Sequence, residues 1–155
     1  MQSKTPVFEE GEKEHAKVTF KTGSFGLVNP SLLYQRRINE GLSLAFNTEY
    51  ITANGKYKYR YRKENGYDTT ATRQNGDIES FRAEITLHQA FKSGGKASLK
   101  GYYYESERGL PGAVLANIFS HYQRLWDKNF FVQGMLHKSF FDKHELMVNM
   151  KYSSD

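Results

Sequence analysis

The chain has 155 residues, a formal net charge of +5, 38% apolar residues, 15% aromatic residues and no cysteine. Without cysteine there is no disulfide framework, thiolate metal site or cysteine nucleophile, and the 11 Tyr and 11 Phe argue against a disordered chain, which is poor in aromatics. Mean hydropathy is -0.72; no window resembles the roughly 20 apolar residues of a transmembrane helix, so a membrane role would have to rest on strands, whose signal is only alternation.

The opening residues, Met1-Gln2-Ser3-Lys4-Thr5-Pro6, carry no apolar h-region and hence no signal peptide. A period of two begins where Ala16, Val18 and Phe20 alternate with Lys17, Thr19 and Lys21. Gly23-Ser24-Phe25-Gly26 ends this first strand. Asn29-Pro30 predicts a turn, and residues 31–38, with Arg36-Arg37, a second and less regular strand. After a tight turn at Asn39-Glu40-Gly41, Leu42, Leu44, Phe46, Thr48 and Tyr50 share one face, opposite Ser43, Ala45, Asn47 and Glu49. That is the pattern of a half-buried strand.

A long polar loop is predicted over about 53–76, with turn pairs Asn54-Gly55 and Asn65-Gly66. In the fourth strand Phe81, Ala83, Ile85 and Leu87 alternate with Ser80, Arg82, Glu84, Thr86 and His88; Phe91 closes it, and residues 92–96 form a hairpin turn. Ala97, Leu99, Gly101 and Tyr103 give the fifth strand its apolar face, with Tyr102 and Tyr104 opposite. A second long loop is predicted over about 106–120. The sixth strand falls within 121–140, where Phe130, Val132, Gly134, Leu136 and Phe140 share a face. Phe141-Asp142-Lys143-His144 is a short turn, and Leu146, Val148, Met150 and Tyr152 mark the seventh strand.

The expected fold is therefore all-β: an antiparallel up-and-down meander of about seven long strands, a segment of a transmembrane β-barrel. From the third strand on, short and long connections alternate, as they do in such barrels. Strands of roughly 10 residues suit a tilted membrane crossing better than the ~5–6 of a globular sheet. Aromatics gather at both strand ends: Phe91, Phe140 and Phe141 at short turns, Tyr50 and Tyr102-Tyr103-Tyr104 near long loops. Lys17, Glu49, Arg82, Glu84 and Lys100 would line a watery interior. A soluble barrel with the same apolar residues inside satisfies the same periodicity.

Four segments carry a family resemblance: KVTFKTGSFG at 17–26, LSLAFNTEY at 42–50, SLKGYYYESERGLPG at 98–112 and QRLWDKNFFVQG at 123–134. In this order and spacing they resemble the first barrel strands of TonB-dependent outer-membrane receptors, of the cobalamin- and siderophore-receptor-like Bacteroidetes type. The resemblance runs from about Lys4 onward. It implies a bacterial outer-membrane location and uptake of a nutrient: a metal chelate, cobalamin or a glycan. It implies contact with outer-membrane lipid and lipopolysaccharide, no cofactor and no enzymatic activity. The family's barrel has 22 strands with a plug inside. On that template residues 1–14 are a lead-in from a missing plug, residues 15–155 a partial barrel, and the energy-coupling TonB complex is reached only through the plug. The chain then reads as a fragment whose leader was removed or lies upstream. Its unpaired strand edges would pair with other copies, close into a smaller barrel or join a larger assembly.

Candidate ligand contacts lie in the predicted outer loops: Tyr57, Tyr59, Tyr61 and Arg60 in the first, Arg108 and Leu110 in the second. Loops on rigid barrels carry specificity. The Tyr/Lys/Arg alternation at 56–62 has three readings. It could stack bases and hold phosphates, form the foot of an outer loop with its cations toward anionic lipopolysaccharide, or extend a strand with one aromatic and one solvated face. His15, His88, His121, His137 and His144 match no metal motif, and Glu9-Glu10 and Glu105/Glu107 match no catalytic pair. The alternatives are a soluble β-barrel ligand-binding module and a basic nucleic-acid-binding β-domain, the latter the weakest of the three.

Overall fold

The computed structural model describes residues 12–63, 66, 68–112, 122–140 and 144–155. Its strands in chain order are β1 (Glu14–Gly23), β2 (Leu27–Arg37), β3 (Leu42–Ala53), β4 (Lys58–Arg62), β5 (Asp68–Thr72), β6 (Ile78–Ala90), β7 (Lys96–Gly109), β8 (Arg124–Phe140) and β9 (His144–Ser154). Seven of them form one antiparallel sheet in the order β1-β2-β3-β6-β7-β8-β9, and β4 and β5 pair separately. The fold is all-β, as the alternation predicts. The sheet is not closed: β1 and β9 are its edges, so closure into a smaller barrel is not what this chain does here. No helix among the described residues is long and apolar enough to cross a membrane.

Register decides which face each side chain takes, because side chains alternate with a period of two. Here each pair of neighbouring strands sets apolar residues on one face beside one another. Val18 faces Leu32, Tyr34 faces Phe46, and Phe46 faces Ile85. Leu87 faces Leu99, Leu99 faces Gly134, and Leu136 faces Val148. The result is one apolar face across all seven strands. It is the exposed one: Val18 is 76%, Ile85 48% and Leu99 51% accessible. Phe81, Tyr103 and Phe130 lie on adjacent strands toward one end of it, with the Phe81 and Tyr103 ring centroids 6.3 Å apart.

The opposite face is polar and sheltered. The buried polar residues among those described are Asn29, Ser80, Thr86, His88 and Ser106, and no described apolar residue is buried. Ion pairs on this face include Glu49 with Arg82 at 2.8 Å and Glu84 with Lys100 at 2.9 Å. Tyr102 stacks on Phe131 at 4.8 Å, with Lys151 Nζ over the Phe131 ring. This reverses the usual arrangement, in which buried positions are mostly apolar.

The turn predicted at Asn29-Pro30 lies instead inside β2, which starts at Leu27 and ends at Arg37 rather than covering 31–38. The chain reverses at a single 3-10 turn, Ser24–Gly26, where Phe25 takes a left-handed φ of 63°. Proline is tolerated in β2 because a side chain replaces what it lacks. Pro30 pairs with Phe20 of β1, while the β2–β3 register skips residues 29 and 30. Pro30 has no N–H to donate across that gap. Asn29 Nδ2 donates to the Tyr50 carbonyl at 2.9 Å and to Glu49 Oε1 at 3.1 Å. The half-buried Tyr50 carbonyl keeps a donor.

The predicted loops are shorter than their sequence spans. Of 53–76, Ala53 belongs to β3 and most of the rest forms the β4–β5 hairpin. The β3–β6 ladder runs to Ala53↔Ile78, and the ladder resumes at Lys58↔Thr72. Four residues on one side face five on the other, so the long connection is one hairpin with a bulge. Of 106–120, residues 106–109 belong to β7. Residues 113–121, including His121, lie outside the described residues, as do Asn65, the turn Phe141-Asp142-Lys143 and the lead-in through residue 11.

Candidate functional site

The connections 24–26, 54–77 and 110–123 leave the same end of the sheet, because the meander alternates ends. At that end they are tied together. Asn54 donates its backbone N–H to the Phe25 carbonyl at 2.9 Å. Asn75 adopts a left-handed φ of 57°, which asparagine tolerates better than most residues. From there its Nδ2 donates to the carbonyls of Leu110 at 3.1 Å and Gln123 at 2.8 Å. Gly109 N–H donates to the Asp77 carbonyl at 2.9 Å, and Leu110 N–H to the Gln123 carbonyl. Arg73 donates to the carbonyls of Pro111 and Gly112.

Arg124 is the centre of this tie. It opens β8, opposite Gly109 of β7. Its guanidinium donates to both Asp77 carboxylate oxygens, at 2.7 and 3.4 Å, and to Glu107. The Arg124 hydrogen bonds hold the Asp77 carboxyl below its ordinary value of 3.8, against the opposing pull of desolvation, with the Lys56 charge adding to the effect. Gly109 is buried under the loop: a Cβ there would meet the Asn75 carbonyl oxygen and Oδ1 at 2.5 Å. The described parts of the two long connections form one braced platform.

The predicted contact residues do not converge. Tyr57, Tyr59 and Tyr61 do form a row, with ring centroids 6.4 and 5.9 Å apart, and Phe25 meets Tyr57 edge-on at 5.7 Å. Arg60 sits on the other face of the hairpin. Tyr59, Tyr61, Thr69 and Ala71 occupy the less accessible face; Lys58, Arg60, Arg62, Asp68, Thr70 and Thr72 occupy the exposed one. Arg108 lies in β7, not in a loop, and its guanidinium is 3.7 Å from Asp127. Leu110 alone of the second set is in the connection, 38% accessible.

The bracing residues Arg73, Asn75, Asp77, Glu107 and Arg124 were not singled out by the alternation. The only local signal was the turn sequence Asn75-Gly76-Asp77. Among the described residues no group of three or more His, Asp or Glu could hold a metal ion. A concavity of about 580 Å³ lies at the opposite end, between the turns at 39–41 and 89–92. Glu40 and Lys92 there are a fully exposed pair at 3.9 Å. Comparison with protein-family models gives no match, and comparison with curated proteins gives none.

Proposed function

We propose that the chain is a stretch of wall from a transmembrane β-barrel of the bacterial outer membrane, in a receptor of the TonB-dependent type that takes up a metal chelate, cobalamin or glycan. In that reading the braced platform and the Tyr57-Tyr59-Tyr61 row face the outside and meet the ligand, while a plug elsewhere gates passage. The observation that carries it is the single exposed apolar face running across seven long strands, backed by a sheltered, ion-paired polar face. Dimensions support it. From Phe81 to Phe91 is roughly 33 Å along the strand, and a tilt of about 40° reduces that to about 25 Å, the height of a barrel's apolar band. Phe81, Tyr103 and Phe130 lie side by side where an interfacial aromatic girdle belongs.

The rival readings fit less well. A soluble module needs its apolar residues on the sheltered face. A single-strand nucleic-acid surface needs rings and cations together, and the hairpin separates Arg60 from Tyr59 and Tyr61.

The test uses the absence of native cysteine. Ile85→Cys and Asn47→Cys, on the apolar and polar faces, are each labelled with a small fluorophore in vesicles holding lipid-attached quenchers. Strong quenching at 85 and weak quenching at 47 is expected. Equal quenching at both, or a monodisperse monomer in detergent-free buffer, would sink the proposal.

A further inference from the structure

We propose that the exposed face of the β4–β5 hairpin, carrying Lys58, Arg60 and Arg62, binds phosphorylated lipid headgroups. The inference rests on the membrane-wall reading and moves Arg60 from ligand contact to lipid contact. Residues 56–73 hold six Lys and Arg against Glu64 and Asp68, which is most of the chain's net +5. Three of those cations stand in a row on one strand face, roughly 6.6 Å apart from the strand rise, all exposed. Their neighbours on β5 are the exposed hydroxyls of Thr70 and Thr72 and one acid, Asp68, which lies 3.5 Å from Arg62. That pair is 74% and 68% accessible, so water screens it and the charge stays available.

The chemistry selects the partner. A row of cations with hydroxyl donors beside it complements phosphate oxygens. A nucleic acid would also want rings for its bases, but Tyr59 and Tyr61 face the other way. A free small anion would want a convergent pocket, whereas this row is flat and open. A bilayer surface offers many phosphates at shallow depth. The hairpin also continues directly from β3 and β6, whose apolar face meets lipid in the wall reading.

The experiment compares the full chain and its Lys58→Gln/Arg60→Gln/Arg62→Gln variant. Partitioning is measured into neutral phosphatidylcholine vesicles and into vesicles that also hold phosphatidylglycerol. Each surface cation contributes about fivefold to anionic-lipid affinity. The full chain should therefore prefer the anionic vesicles by on the order of a hundredfold at low salt, and less as salt rises. The variant should lose that preference, keep its partitioning into neutral vesicles and keep its circular dichroism. A preference that survives in the variant, or no preference in the full chain, overturns the inference. So does tighter binding to single-stranded DNA than to anionic vesicles, abolished in the same variant. Failure to enter neutral vesicles, with the anionic preference intact and lost in the variant, refutes the wall and supports the headgroup contact.

Discussion

Ile85→Arg separates a lipid-facing surface from a water-facing one. Ile85 is central on β6, the fourth of seven strands in sheet order, and 48% accessible. It lies between Phe46 and Gly101, and its Cγ2 covers the space above Gly101. In water an arginine here loses little. Its methylene stem can lie over Gly101 while the guanidinium stays hydrated, and the expected change is within about 0.5 kcal/mol. In a bilayer the same guanidinium must leave water near the midplane of the apolar band, which costs about 2–4 kcal/mol. The assay is denaturant unfolding of the chain in phospholipid vesicles, followed by Trp126 fluorescence, with the midpoint and slope both recorded. Asn47→Arg is the control, because residue 47 lies on the polar face opposite Glu84. A loss of at least about 2 kcal/mol for Ile85→Arg and near none for Asn47→Arg is expected. A loss under about 0.5 kcal/mol in the bilayer, or equal losses for the two variants, refutes the reasoning.

Asn29→Ala leaves the Tyr50 carbonyl without its side-chain donor at a position 7% accessible. It should cost about 1–3 kcal/mol, and an unchanged unfolding midpoint would show that Pro30 needs no such compensation. Gly109→Ala drives a Cβ against Asn75, whereas at Gly134 nothing lies within 4 Å of the added atom. The first should lose about 1–3 kcal/mol as the loop is forced aside while Gly134→Ala stays near neutral; equal effects on unfolding contradict the packing. Asp77 has a folded value below its unfolded 3.8, so its contribution is fully present above that value and is lost as pH falls through the lower folded one. The protection factors of the Gly109 and Leu110 amides should therefore fall in acid in the native chain and be low already at neutral pH in Asp77→Asn. Protection that is the same at both pH values and in both chains would mean the ion pair does not brace the loops.

What could be read from the residues was the alternation itself. Val18, Leu44, Ile85, Leu99 and Val148 fall on one face because the period of two is a property of the backbone, and a single strand is enough to display it. Asn29-Pro30 misled because proline usually breaks a ladder. Here the missing donor comes from a side chain, and that compensation depends on where Tyr50 lands across the sheet. The Tyr/Lys alternation at 56–62 was legible as a two-faced strand extension, but its β5 partner, with Thr69 and Ala71, carries no comparable pattern. The Arg124 brace was illegible for a stronger reason. Asp77, Glu107 and Arg124 meet only if β6, β7 and β8 take this register, so the contact belongs to three strands at once.

The bulged hairpin from β3 to β6 has a kinetic consequence. Its connection holds 24 residues between Ala53 and Ile78, yet once β4 and β5 have paired, only five residues of chain separate Arg62 from Asp68. Closing a five-residue loop instead of a 24-residue one lowers the entropic barrier by about 1.4 kcal/mol, at roughly 0.6 kcal/mol per doubling. The ladder can then zip inward from the tip, pass the bulge and align β3 on β6 without a search. A deletion of β4 and β5 that leaves a flexible linker of equal length should slow the pairing of β3 with β6 by about tenfold without touching a contact in the seven-stranded sheet.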